Sequence, residues 1–243
     1  MKIYSPISFS TVGAPHLSAG ICESYSYKNA IQTYEIQGEE DLAGIILHGK
    51  KGEISFSTTP AATVTALGVR AGSELTISGL STGKIICTKS GAKWQRGQPM
   101  VFDIAATHFP HLEEDGTGTI TPATITLADG TESGSLTLPT DKVWFGTRGL
   151  TYEGGIVQSC GIEETIQIQE EPDGATGNIT GIAIHGYKAT CQMEILTSAA
   201  LPEEGTSLVA FGTYRITEAT ENWKRGSTRS ISITGILIPG ITT

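Results

Sequence analysis

Gly44-Ile45-Ile46-Leu47-His48-Gly49-Lys50-Lys51 is read again, later in the chain, as Gly181-Ile182-Ala183-Ile184-His185-Gly186-Tyr187-Lys188. Gly, Ile, His, Gly and Lys recur at identical spacing, and the matches continue on both sides. Downstream, Gly72-Ser73-Glu74-Leu75 corresponds to Gly205-Thr206-Ser207-Leu208, with Gly79 opposite Gly212. Ile85-Ile86-Cys87-Thr88 then lies opposite Tyr214-Arg215-Ile216-Thr217, and Trp94-Gln95-Arg96-Gly97 opposite Trp223-Lys224-Arg225-Gly226. Phe102 and Ile104 fall opposite Ile231 and Ile233, and upstream Tyr34-Glu35-Ile36-Gln37 resembles Ile166-Gln167-Ile168-Gln169. Collinear matches of this kind point to an internal duplication.

Each copy reads as strands. Glu53-Ile54-Ser55-Phe56-Ser57, Leu75-Thr76-Ile77, Phe102-Asp103-Ile104 and Ser230-Ile231-Ser232-Ile233-Thr234 alternate apolar and polar residues, the period of a sheet with one wet face. The chain has 30 glycines in 243 residues, and its Thr, Ser and Ile fall in short runs between Gly-containing breaks. The expected fold is all-β: two homologous antiparallel β-sandwich or barrel domains, residues 1–108 and 149–243, joined by a segment 109–148. Within that segment, Ile120 to Leu127 and Ser135 to Leu138 read as a hairpin around Asp129-Gly130, added to a sheet or reaching a neighbouring subunit. Thr59-Pro60-Ala61-Ala62 could open a helical turn, but Ser198-Ala199-Ala200-Leu201-Pro202 stands there in the second copy, so the region is a variable connection.

A formal net charge of −9 argues against a nucleic-acid-binding surface, which needs clustered Lys and Arg. It suits a soluble acidic protein, or a wall that repels phosphate and lets nucleic acid pass. Cys22, Cys87, Cys160 and Cys191 form no Cys-x-x-Cys pair and are expected to be reduced, partly buried apolar residues. Met1-Lys2-Ile3-Tyr4-Ser5-Pro6 has no apolar core of a signal peptide, and no run of eighteen apolar residues would span a membrane, so folding in a cytosol is expected.

Sites of chemistry were sought at the most tempting residues. His48 and His185 lack converging carboxylate, Cys or His ligands and read as histidines at a strand-to-turn corner held by a backbone carbonyl. His108-Phe109-Pro110-His111, followed by Glu113-Glu114-Asp115, could supply metal ligands, but Pro110 excludes a regular helix that would align the two His. Nucleophile-elbow, phosphate-loop and dinucleotide motifs are missing in their required contexts. Asp115-Gly116-Thr117-Gly118-Thr119 superficially looks like a catalytic aspartate loop but has no second copy. Trp94 and Trp223 read as anchors of hairpin corners covered by Arg96 and Arg225. With Trp144 they could alternatively form a carbohydrate platform. No catalytic, cofactor-binding or metal residue is assigned, and the expected protein is not an enzyme.

The order His-Gly-x-Lys, polar strand, Gly-[Ser/Thr]-x-Leu, strand, then Trp-x-Arg-Gly with a last alternating strand resembles the small β domains of bacteriophage tail and neck proteins. Glu218-Ala219-Thr220-Glu221-Asn222-Trp223-Lys224-Arg225 carries the likeness best. A doubled domain resembles the tail tube (major tail) proteins of some long-tailed phages. The resemblance implies a virion structural protein that self-assembles in the host bacterial cytoplasm, as a homo-oligomer in which three subunits form a ring with pseudo-sixfold symmetry. It implies stacked rings paired through their sheets, other virion proteins as partners, and DNA only as enclosed cargo. A head–tail joining, tail-tip or decoration position in the virion is the alternative, and a carbohydrate-binding β-sandwich a more distant one.

Overall fold

The structure is a computed structural model describing residues 21–37, 42–59, 69–112 and 155–237, apart from 78–79, 81, 97, 99, 210–212, 224 and 227. It also gives the backbone of short strands at 3–4, 7–9, 123–127 and 132–133. All described regular structure is β, in fourteen strands. These are β1 (Ile3–Tyr4), β2 (Ile7–Phe9), β3 (Ile21–Gln37), β4 (Leu42–Thr59), β5 (Glu74–Ile77), β6 (Lys84–Gln95) and β7 (Val101–Phe109). They continue with β8 (Ala123–Leu127), β9 (Glu132–Ser133), β10 (Ile156–Pro172), β11 (Ile179–Leu196), β12 (Ser207–Val209), β13 (Thr213–Asn222) and β14 (Ser230–Leu237).

The sequence leads one to expect sandwiches or barrels. Instead, 12 strands share one sheet that does not close on itself, antiparallel except where β5 meets β8. Pairing in the first half runs β3-β4-β7-β6-β5, and in the second β10-β11-β14-β13-β12. The order of partners is therefore the same in both. The irregularities coincide as well. Bulges interrupt the β3/β4 hairpin after Cys22, Ala30 and Ile36, and the β10/β11 hairpin after Val157, Thr165 and Glu171, each 135 positions further on (22 to 157, 30 to 165, 36 to 171). A further bulge after Cys87 on β6 has its counterpart after Ile216 on β13 (87 to 216, 129 positions).

Two sequence motifs receive their physical meaning here. His-Gly-x-Lys was expected at a strand-to-turn corner, but it lies mid-strand. Gly49 and Gly186 have φ of 61° and 62°, so two residues of one strand face a single residue of the partner, Ile31 or Ile166. A left-handed glycine opening a bulge does this at no steric cost. In Gly-[Ser/Thr]-x-Leu, the Ser73 N–H donates to the Arg70 carbonyl at 3.0 Å and the Thr206 N–H to the Glu203 carbonyl at 3.3 Å. Gly72 and Gly205, at φ 91° and 82°, hold the third position of these turns, where positive φ is required. The register also corrects the upstream match. Gln32 faces His48 as Gln167 faces His185, so Ile31 corresponds to Ile166, and the four-residue match beginning at Tyr34 is out of step by three.

Packing follows the alternation. Phe102, Ile104 and Ala106 of β7 and Ile231 and Ile233 of β14 are buried while their neighbours are partly open. One cluster of buried side chains draws on both halves, from Ile54, Phe56 and Trp94 to Cys191, Ile195 and Tyr214. Burying an aliphatic side chain of this kind contributes about 1.5–3 kcal/mol. The hairpin expected around Asp129-Gly130 is only partly within view: β8 pairs with β2 and β5, β9 pairs with β1, and among the described residues β8 and β9 do not pair. The Asp129-Gly130 turn, Ser135 to Leu138, and the residues after Thr59-Pro60 lie outside the described residues.

Candidate self-assembly interface

The two halves meet at β6 and β10. Lys89 to Gln95 pair antiparallel with Thr165 to Ser159, and the Arg96 N–H extends the ladder to the Gln158 carbonyl at 2.7 Å. Trp94 stands opposite Cys160, Ala92 opposite Ile162, and all four are buried. Above this seam the Glu164 carboxylate, 1% exposed, takes two bonds from the Arg70 guanidinium, at 2.6 and 2.7 Å. Arg70 also donates to the Tyr187 hydroxyl at 2.8 Å. Burial alone would lower the Arg70 pKa, but the bonds to Glu164 and Tyr187 outweigh it and hold the cation firmly protonated. Lys89 pairs with Glu163 at 2.5 Å, Lys51 with Glu170 at 2.7 Å, and the Gly49 N–H donates to the Gly177 carbonyl at 2.8 Å. The seam is thus a main-chain ladder flanked by apolar packing and three ion pairs.

Both sides of that seam have an open counterpart elsewhere. In β10 one edge serves β11 and the other β6. In β3 one edge serves β4, and among the described residues the other has no strand partner. The β13 edge matching the seam edge of β6 pairs with β12 only at Thr213–Arg215, leaving the Glu218–Asn222 stretch without a described partner there. Unpaired edges with free N–H and C=O groups are templates for another chain. Apolar exposure concentrates in the same places. Trp223 is 72% exposed, whereas Trp94 is 4% exposed. On the β3/β4 hairpin Ile31, Tyr34, Ile36, Ile45, Ile46 and Leu47 are exposed, although Ile166 and Ile182 of the other hairpin pack on Ile86, Phe109 and Leu112. Clustered exposure of this sort marks interaction surfaces.

The other candidates are distributed differently. His48 packs beneath Gly177, and the exposed His185 donates from Nδ1 to the Gln167 carbonyl at 3.2 Å. His108 is buried in β7, its Nε2 2.7 Å from the Thr82 carbonyl and its Nδ1 3.1 Å from the Tyr27 hydroxyl. His111 is exposed in the following turn, and 113–120, with Glu113, Glu114 and Asp115, lie outside the described residues. Among the described residues no group of three or more His, Cys, Asp or Glu could hold a metal ion, and no helix is long and apolar enough to cross a membrane. Cys87, Cys160 and Cys191 are buried free thiols; the side chain of Cys22 is outside the described set. Burial pushes the Cys87 thiol up to about 12, and the contact with Cys191, 3.9 Å away, together with burial pushes Cys160 up.

Trp94 is the next-to-last residue of β6, just before the chain turns into β7, and Trp144 is outside the described residues. With Trp94 in the core, the three tryptophans do not make one exposed platform. A concavity of about 690 Å³ crosses β6, β10, β11 and β14, lined by Lys93, Gln192, Glu194, Ser232 and Thr234 among others. Sequence reading missed Arg70 and Glu164. The available signal was parity: Glu164 shares the strand face of Cys160 and Ile162, and a carboxylate on a buried face needs a partner. No protein-family model matches the chain, and no curated protein matches it.

Proposed function

We propose that the chain is two copies of one β domain and serves as a non-enzymatic structural protein of a bacteriophage virion. In this reading it self-assembles into rings that form the tail tube through which DNA passes. The observation that carries self-assembly is the pair of open edges. Each corresponds to one side of the β6/β10 seam, so a second copy can continue the sheet using the geometry the chain already uses internally. Such a contact joins unlike surfaces head to tail, and closes into a ring when the rotation permits. Three subunits would place six domains around the axis. The identical order of partners, the bulges at constant spacing and the matched glycines support the duplication. The net charge of −9 favours a wall that nucleic acid slides past. The partners are copies of itself and other virion proteins, and the place of assembly is the host bacterial cytoplasm.

Sedimentation across a concentration series, followed by electron microscopy of the associated fraction, tests this reading. Open-ended tubes are the expected result. Closed rings that never stack would move the protein to the head–tail joint, the tail tip or a decorating position. A monomer at every concentration would defeat self-assembly altogether.

A further inference from the structure

Resting on that reading, the geometry points to a specific register between copies: β13 of one molecule pairs with β3 of the next as β6 pairs with β10, with an acid and a base exchanged at two of the three flanking ion-pair positions. The bulge positions fix the correspondence. Moving the β6 residues on by 129 and the β10 residues back by 135 turns Trp94 opposite Cys160 into Trp223 opposite Tyr25. It likewise sets Asn222 opposite Ser26, Glu221 opposite Tyr27, and Glu218 opposite Ala30.

The ion pairs decide the matter. At the internal seam Lys89 on β6 meets Glu163 on β10. Their counterparts are Glu218 and Lys28, an acid where the base was and a base where the acid was. Arg70, held by Glu164 and Tyr187, corresponds through the matched turns to Glu203, while Glu164 and Tyr187 correspond to Asn29 and Lys50. An acid stands where Arg70 was and a base, Lys50, where Tyr187 was, while Asn29 is neutral. Lys51 with Glu170 becomes Lys188 with Glu35, a pair of unchanged sign. All six counterpart charges are exposed, and Lys28 reaches Glu53 only at 3.9 Å.

The reversal has a physical consequence. The β10 side of the seam, bearing Glu163 and Glu164, is repelled by Glu218 on β13 and Glu203 in the turn before β12, and the β3 side, bearing Lys28 with Lys50 on the neighbouring β4, is repelled by Lys89 on β6 and Arg70 in the turn before β5. Opposed charges select the correct partner and like charges reject the wrong one. The fold can therefore close its own seam and still build an assembly, without exchange of β10 between molecules. Tyr25 against Trp223 supplies an aromatic cross-strand pair near one end of the contact.

The test uses the full chain. Lys28→Glu and Glu218→Lys, each alone, are expected to weaken self-association roughly tenfold or more, and the double variant to restore it. Lys50→Glu with Glu203→Lys forms an independent second pair. Circular dichroism and melting temperature should match the parent throughout, since these side chains are exposed. Oxidising a mixture of Ser26→Cys and Asn222→Cys proteins should give a covalent dimer, and Ser26→Cys with Thr220→Cys should not. Associating parent protein whose charge variants behave like it, or a crosslink formed only in the slipped mixture, overturns the register while leaving self-assembly standing. A parent that never associates overturns both.

Discussion

Trp94 and Trp223 end two strands that hold the same place in the same order of partners, yet one is 4% exposed and the other 72%. The local sequences do not account for this, since both are followed by a polar residue, an arginine and a glycine. The neighbouring strand does: β10 lies along β6 up to Trp94, whereas on that edge of β13 the described partner β12 reaches only Thr213–Arg215. Burial in a sheet is a property of the pair of strands, so identical motifs can have opposite fates. The largest expected effect follows. Trp94→Ala should cost about 3–5 kcal/mol of stability, and Trp223→Ala should leave the dilute chain within about 0.5 kcal/mol of the parent. Urea unfolding of both variants at low concentration measures the difference; equal losses would mean that Trp223 is buried by something other than a second copy.

Glu164 and its counterpart Asn29 repeat the contrast in charge. Glu164→Ala leaves the half-exposed Arg70 guanidinium without its carboxylate at the seam, which should cost roughly 1.5–3 kcal/mol, the usual loss of hydrogen bonds to a charged group. Asn29→Ala, on the exposed edge, should stay within about 0.5 kcal/mol. Thermal melts compare the two directly.

Where the halves agree, mutations should agree too. Gly49→Ala and Gly186→Ala each force a Cβ into the left-handed region at φ near 60°. Each should cost about 1–2 kcal/mol. An added Cβ would meet the partner strand's glutamine at nearly the same distance in both, Gln32 at 3.4 Å and Gln167 at 3.3 Å. A loss at one glycine with none at the other would break the correspondence of the bulges.

Strand class and the order of motifs were legible because alternation and glycine placement are local. Ile54 and Phe56, or Ile231 and Ile233, announce a buried face by spacing alone. The seam was not legible, since nothing in Lys89 to Gln95 says that Thr165 to Ser159 will lie beside it; that pairing spans some seventy residues and rests on main-chain groups every residue has. The connections hid a second feature. The chain from Pro172 to Ile179 is two residues longer than that from Gln37 to Leu42, so the spacing of His48 and His185 does not carry back into β3 and β10, and the match begun at Tyr34 slid by three while looking plausible. His48 and His185 drew attention as chemistry, whereas the glycines after them carry the structural information.

The smallest effect lies at Cys87, whose counterpart on β13 is Ile216, so only the first half carries an ionisable group at this buried position. The folded state holds the thiol's pKa up at about 12 against an ordinary 9.0, chiefly through burial. Between those values the unfolded chain releases the proton and the folded chain keeps it, so alkali favours unfolding. The contribution is fully present below pH 9 and is lost as the pH rises toward 12; by pH 10 roughly 1 kcal/mol of it is gone. Cys160 and Tyr214 are shifted in the same direction, so alkaline sensitivity will not vanish when Cys87 is removed. The informative quantity is the slope of stability against pH between 9 and 11. Cys87→Val, which makes the first half resemble the second, should flatten that slope relative to the parent, and an unchanged slope would mean that the Cys87 thiol ionises as readily in the fold as outside it.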